Sequence, residues 1–188
     1  GDTSVVGEPT RDSFMWQAAK LREADGVVIE VINTAVGGAK YDEFAARGKA
    51  AVALLKPSAV HVPLWTVNGP DAGGFVDVSD VYKMFFQALD LAEFCRRQGA
   101  MVIADTGYPK NGLAAPVKAA ILELRDKALE IERAGLWGLV DTLKIAGSAA
   151  DLTTWAPGLG VADGTHQAEI VDAMVGRETA VTLARMGL

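Results

Sequence analysis

The sequence predicts an α/β domain built on a mostly parallel sheet. Short apolar runs rich in β-formers alternate along the chain with longer segments of helical periodicity, and the runs lack the polar alternation of strands that face water on one side. The predicted strands are residues 27–32, 59–65, 100–105 and 136–141. Between and after them, residues 13–24, 41–55, 79–97, 117–134 and 167–186 place apolar side chains at spacings of three and four, as helices do. Ser79 or Asp80 is the expected N-cap of the third helix, and Gly99 and Gly135 are the expected stops of the third and fourth.

With 188 residues, half of them hydrophobic, the chain can bury one sizeable core, so a single domain over residues 1–188 is the expectation. A formal charge of -6 argues against a nucleic-acid partner, which calls for clustered Lys and Arg. Apolar stretches are broken by Glu30, His61 or Asp105 well before the roughly 20 residues of a membrane span. Cys95 is the single cysteine, and with only His61 and His166 beside it no Cys/His zinc cage can be assembled. No cofactor is implied. The compartment is left open.

Loops that follow strand C-termini in a parallel sheet are where ligands sit, and the Gly- and Pro-rich loops 68–74, 106–112 and 156–164 are the candidates. The last leads into Asp163-Gly164-Thr165-His166, just before the final helix. A turn-like path over three residues brings both side chains to one side, which suits a carboxylate orienting an imidazole that acts as general base to a nucleophile. The bland alternative is an N-cap Asp followed by a surface His. Three further blocks stand in order before this pair: Gly1-Asp2-Thr3-Ser4 with Gly7, Asn33-Thr34-Ala35-Val36-Gly37-Gly38, and Thr66-Val67-Asn68.

Their order and placement resemble the conserved blocks of the SGNH (GDSL-like) hydrolases: a Gly-Asp-Ser nucleophile block, an oxyanion Gly, an oxyanion Asn, and Asp-x-x-His near the C-terminus. The resemblance spans nearly the whole chain. It implies a three-layer, flavodoxin-like α/β/α fold and an esterase in which Asp163 and His166 serve a hydroxyl, while the Gly38 backbone N–H and the Asn68 side-chain amide stabilise the oxyanion. Two departures stand out. The family's Gly-x-Asn-Asp block appears as Thr66-Val67-Asn68-Gly69, and register from Gly1 and Gly7 puts Thr3 at the nucleophile position, with Ser4 one residue later. Either hydroxyl is a candidate. In the family the nucleophile block follows the first strand, so the resemblance also implies that residues upstream of Gly1, or a separate chain, supply that strand.

The resemblance points to small acyl esters as substrates, O-acetyl groups on carbohydrate foremost. The alternative function is a catalytically impaired module of the same fold that binds glycan or serves a structural role, as the altered nucleophile block permits. A flavodoxin-like nucleotide- or flavin-binding domain is a third possibility, although Gly37-Gly38-Ala39-Lys40 satisfies neither common phosphate-loop pattern. Trp155, in the loop leading to the acid-base pair, is a candidate substrate contact. Asp71, Asp77 and Asp80 form an acidic loop that could hold calcium, although its spacing matches no EF-hand and capping or solvation explains it as well. His61, Phe14, Trp16, Trp137 and Cys95 read as core.

Overall fold

A computed structural model of the chain describes residues 13–75 and 77–188. Thr3 and Ser4, together with Gly1 and Gly7, lie outside the described residues. In chain order the elements are α1 (Phe14–Ala24), α2 (Tyr41–Leu55), β1 (Ala59–Pro63), α3 (Val78–Arg97), β2 (Met101–Asp105), α4 (Ala115–Arg133), β3 (Gly138–Val140), α5 (Thr142–Ala146) and α6 (Glu169–Arg185). They fall into two compact units. One spans Gly38–Gly107 and Gly112–Asp141; the other holds the described residues up to Gly37, with Tyr108–Asn111 and Thr142–Leu188.

The first unit contains the sheet. Its strands are all parallel in the order β1-β2-β3, with Ala59 opposite Met101, Pro63 opposite Asp105, and Asp105 opposite Val140. Helices α2, α3 and α4 pack with this sheet and with one another, giving the α/β architecture that the alternation of runs predicts. Met84, Phe85, Ala88, Leu91 and Cys95 form the buried stripe of α3, at the spacings of three and four that identify the helix in the sequence. Gly48 lets α2 approach that stripe, since a Cβ there would already touch the Leu91 side chain at 3.4 Å. Cys95 is enclosed, and burial pushes its thiol up to about 11, which leaves it a packing residue.

Helix ends follow side-chain capping. The cap of α3 is Asp77, not Ser79 or Asp80: its extended backbone lets the carboxylate accept from Ser79 N at 2.7 Å, while Asp80 returns a bond to Asp77 N at 3.0 Å. Asp71 accepts from Gly73 N and pairs with Lys83, which holds its carboxyl below the ordinary range. These acidic oxygens are therefore occupied by caps and an ion pair. Gly99 and Gly135 sit just past α3 and α4 with φ of +86° and +71°, where only glycine is unstrained. The turn after α4 takes Leu136 N back to the Ile131 carbonyl, so the predicted strand at 136–141 contracts to β3.

In the second unit α1 lies along α6. Gly176 makes that approach possible, because a Cβ there would stand 2.7 Å from Gln17 Cβ and 2.9 Å from the Phe14 carbonyl oxygen. Phe14 and Trp16 are half-buried, whereas Trp137 of the first unit is buried with its indole N–H on the Ala128 carbonyl. The predicted strand at 27–32 is not one. Val28 is 88% exposed, Val27 N turns back to the Arg22 carbonyl at 3.0 Å, and among the described residues the segment pairs with no strand, without which an apolar run does not become one.

Gly107, at the turn after β2, has φ of +73°, and a Cβ would lie 2.2 Å from Trp65 Nε1. The Gly107→Ala variant is expected to lose about 3 kcal/mol of stability through overpacking and left-handed strain together. Urea denaturation checks this, and a loss below about 0.5 kcal/mol, the usual scale of a surface substitution, would contradict it.

Candidate active site

The segment between α5 and α6 is long but ordered by its own polar groups. Asp151 takes the N–H and hydroxyl of Thr153 on one carboxylate oxygen and the Thr154 hydroxyl on the other. An antiparallel bridge then joins Gly147 and Trp155, and a second joins Gly160 and Gln167. Residues 159–168 thereby form a narrow loop, closed by Ala168 N on the Leu159 carbonyl at 2.8 Å and Val161 N on the His166 carbonyl at 3.0 Å. Asp163-Gly164-Thr165 is its tip.

At that tip Asp163 Oδ1 accepts from Thr165 N at 2.8 Å and from His166 N at 3.0 Å, and Oδ2 lies 2.6 Å from His166 Nδ1. The bond from the imidazole, followed by those two backbone donors, holds the Asp163 carboxyl well below the usual carboxylate range. A carboxylate on Nδ1 favours the tautomer that carries its proton there, which in the neutral ring leaves Nε2 as the acceptor. Both side chains are open to solvent, His166 at 68% and Asp163 at 50%. Nε2 has no partner among the described residues.

Behind the exposed pair, Gly164 is buried. Its N–H donates to the Val161 carbonyl, and its own carbonyl accepts from Asn111 N at 2.9 Å and from Trp155 Nε1 at 3.2 Å. Trp155, expected from the sequence to meet substrate, is only 6% exposed. Its ring stacks on Tyr108 at 6.2 Å between centroids and covers Gly160, where a Cβ would stand 2.5 Å from Trp155 Cγ. The indole therefore supports the loop from beneath.

Gly38 and Asn68 belong to the other unit. Gly38 is exposed with φ of +74°, and no hydrogen bond within the described residues takes its N–H. Lys40 Nζ donates to the Asn68 backbone carbonyl at 2.8 Å, leaving the half-buried Asn68 amide unbonded among the described residues. The chain after Asn68 is equally constrained. Gly69 has φ of +85°, a Cβ there would clash with the Gly74 backbone at 2.1 Å, and the carbonyls of Gly69 and Pro70 cap the first N–H groups of α2.

His61, read as a core residue, has a specific partner: its Nε2 lies 2.6 Å from Asp105 Oδ2, two residues beyond its register partner Ile103 on β2. Tyr41 lies near the same carboxylate, and its fully buried phenol, donating to the Pro63 carbonyl, is raised by burial first and by the Asp105 charge second. Lys40 and Asn111 are the residues that sequence reasoning missed. Lys40 stood in a rejected phosphate-loop comparison, and Asn111 before Gly112 looks like ordinary turn chemistry. Among the described residues no cluster of three His, Cys, Asp or Glu side chains could hold a metal, and no helix is long and apolar enough to cross a membrane.

No protein-family profile and no curated protein matches the chain. Solved structures do. A lipolytic protein of the G-D-S-L family from Desulfitobacterium hafniense superposes with a TM-score of 0.68 at 19% identity, over 95% of this chain and 93% of its own. An acetyl-xylooligosaccharide esterase from Geobacillus, solved as a mutant, gives 0.68 at 18% identity over 97% and 86%. A carbohydrate esterase of family 3 from Talaromyces cellulolyticus gives 0.60 at 15% identity over 95% and 91%. At such identities the likeness is one of fold. The parallel sheet with its flanking helices is the fold these lipolytic and esterase structures share with this chain.

Proposed function

We propose that the chain is an ester hydrolase working by acyl transfer, with His166 as general base and Asp163 as the carboxylate that orients it. The observation that carries this reading is the 2.6 Å contact between Asp163 Oδ2 and His166 Nδ1 on an imidazole that is itself exposed. The names of the similar structures, two of them esterases and one a lipolytic protein, are in keeping with it.

In this mechanism a hydroxyl, that of Thr3 or Ser4, loses its proton to His166 Nε2 as its oxygen bonds to the ester carbonyl carbon. The carbonyl electron pair moves onto oxygen, and the Gly38 N–H and Asn68 amide are proposed to receive that charge. Collapse re-forms the carbonyl and breaks the bond to the alcohol, which departs with the proton from His166. Water then repeats the sequence on the acyl-enzyme and releases the acid. The proposed substrates are small acyl esters, O-acetyl groups on carbohydrate foremost, in keeping with the acetyl-xylooligosaccharide esterase and the carbohydrate esterase among the similar structures.

Hydrolysis of p-nitrophenyl acetate by the full chain tests the reading. His166→Ala is expected to lower kcat on the order of 10⁶-fold, the scale seen when a triad loses its base. Equal rates for variant and wild type would reject the assignment, and glycan binding that survives loss of both hydroxyls without acetate release would mark a non-catalytic module instead.

The carboxylate must stay ionised wherever the base works. Its folded value is depressed, so its hydrogen bonds persist as pH falls past the ordinary Asp value of about 3.9 and are lost only as pH drops through the lower, folded one. The Asp163 carboxyl ¹³C shift in the folded chain is therefore expected to stay flat from about pH 6 to pH 3, and a titration midpoint near 3.9 would overturn the assignment of a held carboxylate.

A further inference from the structure

We propose that Asn111 is a positioning residue for the Asp163–His166 pair. The inference rests on the acid-base reading of that pair and names what holds it in place.

An exposed imidazole and carboxylate on a loop tip have little packing to fix them, and a solvent-exposed ion pair contributes little rigidity by itself. The tip is anchored where it is buried, at Gly164. Two N–H groups converge on the Gly164 carbonyl: the backbone of Asn111, 53 positions earlier in the chain, and the indole of Trp155. The Asn111 side chain closes the arrangement, since its Oδ1 accepts from Trp155 N at 3.3 Å. Asn111 thus holds Gly164 directly through its N–H and, through its amide oxygen, holds Trp155, the other residue on that carbonyl. A Cβ at Gly164 would stand 3.0 Å from Asn111 Cβ, so the tip rests directly on this residue. Tyr108, stacked on the other side of Trp155, comes from the same short segment.

The consequence runs through the backbone. Gly164 lies between Asp163 and Thr165, and the turn made by Asp163 Oδ1 with Thr165 N and His166 N keeps its geometry only while Gly164 stays in place. Without the Asn111 amide oxygen, Trp155 N loses its acceptor, the indole loosens, and the tip can rotate so that His166 Nδ1 leaves Asp163. A displacement on the order of 1 Å at a catalytic group is enough to cost up to about 100-fold in rate. Asn111 is itself exposed, so its replacement removes a hydrogen bond without opening the core.

The test compares Asn111→Ala with Asn111→Asp, which retains an oxygen at the Oδ1 position. One readout is kcat and KM for p-nitrophenyl acetate. The other, independent of activity, is the tautomer of His166 from imidazole ¹⁵N shifts, assigned against His61, the one other histidine. N111A is expected to lower kcat on the order of ten-fold with KM within about two-fold, and to reduce the Nδ1–H tautomer of His166; N111D is expected to restore both. An unchanged tautomer in N111A, or an N111D variant as impaired as N111A, would overturn the proposal. The two readings fail separately. A wild-type chain without esterase activity in which N111A still shifts the tautomer would remove the hydrolase assignment and keep the positioning role, whereas an active chain indifferent to N111A would do the reverse.

Discussion

A carboxyl group buried at the end of β2 must find its partners within the protein, and those partners tie the sheet-bearing unit together. Asp105 is 4% exposed. One of its oxygens accepts from Gly107 N at 2.6 Å, the other lies against His61 on the neighbouring strand, and its backbone carbonyl takes Leu64 N at 2.9 Å. Each contact ties a different piece of chain. The His61 pair links β1 to β2 beyond the ladder, and the Gly107 bond closes the turn that lets Trp65 lie over a residue with no side chain. Such an arrangement is weak evidence of added stability, because desolvating the charge offsets the pairing. What it supplies is uniqueness: few other turns after β2 would satisfy both oxygens.

Much of this architecture was legible beforehand because it is written in short-range terms. Residues 41–55 form α2 as predicted, since apolar periodicity and the following strand leave little latitude. The ends of α3 and α4 fall at Gly99 and Gly135 because positive φ there is a local demand. What failed was non-local or too short. The run at 27–32 has strand composition, but a strand exists only in a pair, and composition carries no information about the partner. Helix α5 has five residues, too few to show a period. The cap of α3 was missed by two residues because three acidic or hydroxyl groups compete there, and only backbone geometry at Asp77 decides among them.

The candidate site divides along the same line. Asp163 and His166 are three apart, so their contact is a property of one turn and could be anticipated. Asn111 meets Gly164 and Trp155 across 53 and 44 positions, and two of those contacts use backbone atoms that every residue possesses. No residue type announces them. Trp155 misled for a related reason: an aromatic in a Gly- and Pro-rich loop suggests a ligand face, but Gly160 has no side chain, so that the indole can lie beneath the loop.

The same physics explains how exposed functional groups can be held accurately. An imidazole more than half open to water has little dispersion energy to fix it, and its pairing with an equally open carboxylate is screened. The short contact between His166 and Asp163 is better understood as the result of the turn than as its cause. Order comes from the adjacent backbone, where the buried Gly164 makes one bond through its N–H and two through its carbonyl. Asn68, in the other unit, has a similar setting: Lys40 holds its carbonyl and the neighbouring Gly69 carbonyl caps α2, while the side-chain amide makes no bond among the described residues. In both places the chain fixes main-chain atoms beside the candidate side chain. The candidate groups are thereby preorganised without being buried.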